Sequence, residues 1–144
     1  MVNLKLSELE DMLEKDLKWD LSDLAREACK SSDLFVKYIK LWSNEKLTKE
    51  LMENNFEVLL QEKRDYYSGN ASAAVYKAKP FGVKLRASDV NKYMAGDVEI
   101  VRGREKILIQ EQKVEILSAV LKEIDRRGYA IKNAIDYTKY MAGG

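Results

Sequence analysis

The sequence predicts a mainly α chain: a helical hairpin plus C-terminal helices, with a small two-stranded β element in the middle and an oligomeric assembly. Three observations point there. Apolar residues recur at three- and four-residue intervals through both ends of the chain, as one face of a helix requires. A single proline and seven glycines punctuate 144 residues, and four of those glycines fall between Gly69 and Gly103. Within that middle stretch, two short runs alternate apolar and polar residues, which is the period of a strand.

The first helix is predicted around Ser7-Glu8-Leu9-Glu10, which has capping-box spacing, with Leu6, Leu9, Leu13 and Leu17 as its apolar side. A second start lies at Ser22, within Asp20-Leu21-Ser22-Asp23. Leu24, Ala28, Phe35, Tyr38, Ile39 and Trp42 carry that helix to about Ser43, through a weak point at Ser31-Ser32-Asp33. The polar pair Ser43-Asn44 reads as a turn. The next helix, with Leu47, Leu51, Phe56, Leu59 and Tyr66, then folds back as an antiparallel hairpin. Gly69-Asn70 ends it.

Residues Asn70 to Pro80 are small, polar and basic, and are expected to form a loop or extended arm. Val83 and Leu85, alternating with Lys84 and Arg86, read as a strand. Ser88-Asp89 reads as the cap of a single helical turn ending near Ala95-Gly96. Val98 and Ile100, alternating with Asp97 and Glu99, read as a second strand able to pair with the first. A long helix is expected from about Arg104 to Arg127, closed by Gly128 as a C-cap, and a final helix from Tyr129 to about Met141. The chain thus divides into an N-terminal helical region, 1–69, a basic loop with the short β element, 70–103, and C-terminal helices, 104–144.

In the long helix Ile107, Val114, Leu117 and Leu121 form one apolar stripe, and Ile109, Ile116, Val120 and Ile124 an adjacent one. Ile131 and Ile135 repeat a helical interval beyond Gly128. At about 100° per residue the two stripes cover roughly half of the circumference. One neighbouring helix does not bury that much, so either several helices of the same chain cover it or copies of the chain do.

The composition, 34 % charged and 46 % hydrophobic, supports a packed core and argues against disorder throughout. No apolar run approaches the roughly 20 residues of a membrane span, and no signal-peptide core is read at the N-terminus. The chain has no histidine, which removes His-based acid–base chemistry, the commonest metal ligand and His-containing nucleophile arrangements. Its one cysteine, Cys29, has no partner for an internal disulfide, fits a reducing cytoplasm, and is expected as a small packed residue inside a helix. Gly-rich phosphate loops are absent. Glu8, Glu10, Asp11 and Glu14 read as a solvated helix face rather than a metal or acid–base site. Neither catalytic residues, nor metal ligands, nor a cofactor are expected. The composition points to binding or assembly.

Charge is unevenly spread. Before Gly69, eleven basic residues face fifteen acidic ones, a net of −4; after it, fourteen face nine, a net of +5. From Lys63 to Arg86, the cations Lys63, Arg64, Lys77, Lys79, Lys84 and Arg86 oppose only Asp65, which suggests contact with a polyanion. Tyr66, Tyr67, Tyr76 and Phe81 are interleaved with them. Single-stranded nucleic acid is held by cations along its phosphates and by aromatic faces under its bases. Tyr67 is the stacking candidate, as the expected exposed member of the tyrosine pair. The competing reading is that Tyr66 completes a helix core face and the lysines keep a loop solvated.

Arg64-Asp65-Tyr66-Tyr67-Ser68-Gly69 and Arg127-Gly128-Tyr129-Ala130-Ile131-Lys132 stand together with this length, helical layout and Met-Ala-Gly-Gly end. In these features the chain resembles the UvsY-type recombination mediators of tailed phages. The likeness spans nearly the whole chain in layout and is specific around Asp65–Gly69 and Asp125–Lys132. It implies a non-enzymatic protein that binds single-stranded DNA and forms ring-like homo-oligomers of the hexamer or heptamer class. Its implied partners are a phage RecA-like recombinase, which it helps to load, and the phage single-strand-binding protein already covering the DNA. The implied location is the cytoplasm of the infected bacterial host, away from membranes. The family's DNA contact includes basic residues just before Asp65–Gly69, here Lys63 and Arg64, whereas Gln61 stands where another cation is expected. Its C-terminal helices carry oligomerisation, which assigns Ile109, Ile116, Val120, Ile124, Tyr129, Ile131 and Ile135 to contacts between copies. Residues 70–96 show little likeness, so DNA contacts by Lys77, Lys79, Lys84 and Arg86 rest on composition alone. A helical phage structural or scaffold protein and a duplex-DNA-binding regulator are the competing functions.

Overall fold

The computed structural model describes residues 4–143. Five helices follow one another: α1 (Leu6–Asp16), α2 (Leu24–Tyr67), α3 (Ala73–Ala78), α4 (Ala87–Ala95) and α5 (Val98–Met141). Helix accounts for 81 % of the described residues and no strand occurs among them, which overturns the expected two-stranded β element. Val83 is exposed in the irregular segment between α3 and α4, where Leu85 turns onto the core. Val98 and Ile100 form the first turn of α5. Residues two apart on a helix point about 200° apart, so Val98 is 59 % exposed while Ile100 is 1 % exposed. Two apolar positions spaced this way look the same in a strand and a helix.

The expected hairpin is likewise replaced by one helix. α2 runs for 44 residues straight through Ser31-Ser32-Asp33 and Ser43-Asn44, and α5 runs for 44 through Gly128. A serine or asparagine costs at most about 0.7 kcal/mol in a helix interior and a glycine about 1 kcal/mol, which tertiary packing outweighs. The start of α2 also shifts. Asp23, not Ser22, caps it, with Oδ1 accepting the Arg26 N–H at 3.1 Å, while Ser22 gives its own N–H to Asp20 at 3.0 Å. α1 begins at Leu6, ahead of the expected Ser7 cap, and the Lys5 N–H donates to Glu8 Oε2 at 3.1 Å. The expected arm contains α3, and the expected single turn at Ser88-Asp89 is the nine-residue α4.

The chain folds into two compact units: Met1–Lys46 with Glu111–Gly144, and Leu47–Gln110. In the first, α1 and the antiparallel segments of α2 and α5 enclose Leu9, Leu34, Tyr38, Leu117, Val120 and Ile124, with Leu13, Leu17, Trp42, Ile116 and Leu121 at the edge. Both stripes of the long helix thus contribute to the chain's own core. The Tyr38 ring is fully buried and its hydroxyl donates to Asp16 Oδ2 at 2.7 Å, where Lys37 Nζ also arrives at 2.6 Å. Burial works to raise the Asp16 carboxyl, but these two donors hold it below its usual value. Burial and the Asp16 charge push the Tyr38 hydroxyl well above the normal tyrosine range. Cys29, expected to be packed, is exposed.

The same unit buries an ion pair. The Arg127 guanidinium bonds Glu27 Oε2, with the two side chains only 2 % and 4 % exposed. Arg127 Nη1 also donates to the Glu27 carbonyl at 2.9 Å and to Ser31 Oγ at 2.7 Å, which gives the serine-rich weak point of α2 a purpose. Arg127 Nε has no partner among the described residues. Breaking such a pair strands a buried charge, whereas apolar replacement of both partners removes the desolvation cost along with the attraction. Arg127→Ala is therefore expected to cost about 3–5 kcal/mol in urea unfolding. Glu27→Leu combined with Arg127→Leu should recover most of that loss, and a double variant no better than the single one would contradict this account.

In the second unit, Val90 and Met94 of α4 and Ile100 of α5 form the core, against Phe56, Leu60 and Tyr67 of α2 and Leu85. Here too α2 and α5 run antiparallel. Gly103 allows their close approach, since a Cβ there would stand 3.0 Å from the Phe56 ring. Leu47 and Leu51, expected on a core face, are about half exposed.

Candidate nucleic-acid interface

The end of α2 is built for a sharp reversal. Gly69 takes φ of +80°, a conformation that favours glycine. The Asn70 N–H then donates to the Asp65 carbonyl at 2.8 Å and the Gly69 N–H to the Tyr66 carbonyl at 3.3 Å, the paired bonds of a Schellman cap. Tyr76, on α3, reinforces it: its hydroxyl donates to the Tyr66 carbonyl at 2.8 Å and accepts the Ala71 N–H at 3.2 Å. The Tyr66 hydroxyl donates to the Lys79 carbonyl at 3.2 Å. The segment expected to be a loop or extended arm is therefore tied down over the end of α2.

Asp97 is the polar centre of this region. Its Oδ1 accepts the N–H groups of Glu99 at 2.9 Å and Ile100 at 3.2 Å, capping α5. Its Oδ2 accepts the Tyr67 hydroxyl at 2.6 Å and pairs with Lys63 Nζ at 3.1 Å. Lys63 also reaches Glu99 at 3.2 Å, and Lys79 meets Glu99 at 3.3 Å. Burial works to raise the Asp97 carboxyl, but Tyr67, Lys63 and the helix N–H groups outweigh it and hold the carboxyl below its usual value. Burial tends to lower the Lys63 ammonium, yet Asp97 and Glu99 raise it. Burial and Asp97 push the Tyr67 hydroxyl far above the normal tyrosine range. Lys63 and Lys79 hold the Glu99 carboxyl down.

Five rings gather beside this network. Tyr66 contacts Tyr67, Tyr76 and Phe81 at centroid distances of 5.1, 5.5 and 5.3 Å. Phe81 lies 5.4 Å from Tyr67, and Tyr93 of α4 lies 5.8 Å from both Tyr67 and Phe81. The sequence-predicted cations are sorted by the fold. Lys63 is spent on Asp97 and Glu99, and Lys79 shares Glu99. Arg64, Lys77, Lys84 and Arg86 are exposed and make no ion pair among the described residues. Tyr66 and Tyr67 are both half-buried with their hydroxyls occupied, so Tyr67 does not stand out as an exposed member of the pair. An open cleft of about 500 Å³ nearby is lined by Lys63 and Lys79 but also by Glu62, Asp65 and Glu99, so it is no simple anion pocket.

Of the residues assigned to contacts between copies, Val120, Ile124 and Ile131 are buried within the chain, Ile116 and Ile135 are partly buried, and Ile109 and Tyr129 are 53 % and 68 % exposed. Asp97, Glu99 and Tyr93 were not singled out by the sequence as site residues. The available signal was Asp97 standing one residue before an apolar helical turn, the position of a cap. Among the described residues no group of three or more Cys, Asp or Glu side chains is arranged to hold a metal, and no helix is long and apolar enough to cross a membrane. The exposed cations stand close in sequence to the aromatic residues, and cations with aromatic faces are groups able to contact phosphates and stack on bases.

The Asp97 shift has a sign that can be measured. A carboxyl held below its unfolded value contributes its full stabilisation above about pH 3.8 and loses it as the pH falls through the lowered folded value. Asp97→Asn should therefore lower the wild-type melting temperature at pH 7 and narrow the gap between the two proteins as the pH drops below that point. A gap constant from pH 7 to pH 2 would show that the ionised form of Asp97 does not hold this junction.

Residues 12–144 match the family described as "Recombination, repair and ssDNA binding protein UvsY". The recombination protein uvsY of Enterobacteria phage T4 is 24 % identical over 140 residues, covering 97 % of this chain and 99 % of that relative. A crystal structure of the bacteriophage T4 recombination mediator protein UvsY in lattice type II superposes with a TM-score of 0.84 at 24 % identity, over 97 % of this chain and 99 % of that one. Lattice type I gives 0.81 at 24 % identity, over 93 % and 98 %. These superpositions speak to the fold. Because the family match runs through the helices, the aromatic cluster and the Asp97 junction alike, the chain belongs to the UvsY family.

Proposed function

We propose that the chain is a recombination mediator, without catalysis, that binds single-stranded DNA. In this reading it promotes loading of a RecA-like phage recombinase onto DNA covered by the phage single-strand-binding protein, in the cytoplasm of the infected host. It acts as a multivalent, ring-like homo-oligomer of the hexamer or heptamer class. The observation that carries the reading is the set of exposed, unpaired cations, Arg64, Lys77, Lys84 and Arg86, in the region of one aromatic cluster. It agrees with the family's description as single-strand-binding.

Four cations release few counterions, so one subunit binds a strand weakly. Repeating the same face around a ring turns each later contact into an intramolecular one, and total affinity rises without any tight single site. A strand held at repeated points adopts a path set by the protein, which favours the recombinase over the covering protein. In this scheme Lys63 serves mainly by holding Asp97, and Lys79 divides itself between Glu99 and the strand. Ile109 and Tyr129, with the partly buried Ile116 and Ile135, supply contacts between copies. Val120, Ile124 and Ile131 shape the subunit that makes them.

Neutralising Arg64, Lys77, Lys84 and Arg86 to Gln should weaken single-strand binding and flatten the log–log salt dependence by about 0.7 for each cation engaged. Fluorescence anisotropy across a salt series checks this, and an unchanged slope would remove these residues from the interface. Assembly separates in the same way. Ile109→Glu should lower the mass in sedimentation while keeping helical content, whereas Val120→Glu should unfold the subunit, because a charge enters its own core. A wild-type chain that sediments as a monomer would end the multivalent mechanism.

A further inference from the structure

We propose that Tyr93 is the side chain on which a base of the bound strand stacks; this rests on the single-strand reading above and names the residue that recognises bases rather than phosphates. The five rings are not equivalent. Tyr66 is flanked by Tyr67, Tyr76 and Phe81, and its hydroxyl is held by the Lys79 carbonyl. Tyr76 caps α2 through its hydroxyl. Tyr67 packs in the core beside Met94 and Ile100 and is fixed to Asp97. Phe81 is partly buried and touches three of the other four rings.

Tyr93 differs in every respect. It is 44 % exposed, touches the cluster only through Tyr67 and Phe81, and its hydroxyl has no hydrogen-bond partner among the described residues. The rings behind it fix its orientation, so a base would meet a surface already ordered. The backbone around it is fixed too, since Val90 and Met94 on the adjoining side of α4 are buried.

Its neighbours supply the phosphate contacts. Arg86 is the N-cap of α4, seven residues before Tyr93, so the two backbone positions are about 10 Å apart along the helix axis. Arg86 and Lys84 are exposed and unpaired, and Lys92 is exposed beside Tyr93. A strand engaged at Arg86 thus has its bases within reach of the exposed part of Tyr93. A duplex, whose bases are already stacked, gains nothing from that ring. The single-strand preference comes from this one residue and the affinity from the cations.

The test compares oligothymidylate with an abasic oligonucleotide of the same length and charge, using the full chain in its native assembly. Tyr93→Leu fills the contact with Tyr67 and Phe81 but has no aromatic face, and Tyr93→Phe restores one. Tyr93→Leu is expected to weaken oligothymidylate binding about fivefold or more, to leave abasic-strand binding unchanged, and to be rescued by Tyr93→Phe. Equal loss on both strands, or no loss on either, overturns the assignment. So does a wild type that does not distinguish the two strands, although phosphate binding would then stand. A wild type with no affinity for either strand ends both this inference and the single-strand reading, so the two failures are told apart. Helical content and melting temperature, measured alongside, confirm that each variant is folded.

Discussion

The Asp97 carboxylate accepts from four donors, and the geometry of the candidate interface depends on it. Two are N–H groups in the first turn of α5, which have no partner within the helix. The other two, the Tyr67 hydroxyl and the Lys63 ammonium, come from the last turns of α2. One side chain thus starts one long helix and joins it to the end of the other. Charge-assisted bonds of this kind contribute about 1.5–3 kcal/mol each when one partner is removed, and they are strongest when buried. The constraint also has a consequence for binding. A lysine and a tyrosine that look like nucleic-acid ligands in the sequence are drawn into the frame.

What remains available is a smaller and more ordered set. Lys63 and Arg64 are adjacent in sequence, yet neighbours on a helix point about 100° apart. Lys63 faces the start of α5, while Arg64 faces solvent. The same division runs through the aromatic residues, where Tyr66, Tyr67 and Tyr76 hold backbone or carboxylate oxygens with their hydroxyls. Tyr66 and Tyr67 thus belong to the frame, while the exposed cations nearby in sequence are left without ion pairs among the described residues. Under the proposed function, few free cations per subunit make strong binding depend on repetition of the face.

The helical character of the chain was legible from spacing, and so was the stop at Gly69, because only one residue type sits comfortably at φ +80° before a reversal. The breaks within helices were not. Ser43-Asn44 and Gly128 carry a local cost that the packing of a 44-residue helix absorbs, so punctuation that ends a short helix is overridden in a long one. The β element failed for a different reason. Asp97-Val98-Glu99-Ile100 alternates in polarity whether extended or helical, and the deciding fact is that Asp97 caps. At the candidate site, the composition drew attention to the region and its cations. Which of them are free depends on Asp97 and Glu99, acids that sequence reading placed in a strand and set aside. Burial of Val120 and Ile124 within the chain was legible as one of two readings of a wide apolar stripe. The choice between them needed the position of α1, whose Leu9 closes that core.

Two antiparallel helices with long apolar stripes have more than one register in which leucines and isoleucines meet, because a slip by one turn presents similar side chains. A buried charge does not tolerate that slip. In the first unit, moving α5 by one turn would take Arg127 away from Glu27 and Ser31 and leave a carboxylate without its partner. In the second, the same slip would part Asp97 from Lys63 and Tyr67. Stranding a buried ion costs several kcal/mol, far more than the difference between two leucine contacts. Each unit therefore has a polar pin that selects one register out of several apolar ones. In the second unit that register has a direct use. It fixes where the end of α2, carrying Arg64, lies relative to α4, which carries Tyr93 and has Arg86 as its N-cap, so the spacing of these exposed side chains is set by the Asp97 carboxylate.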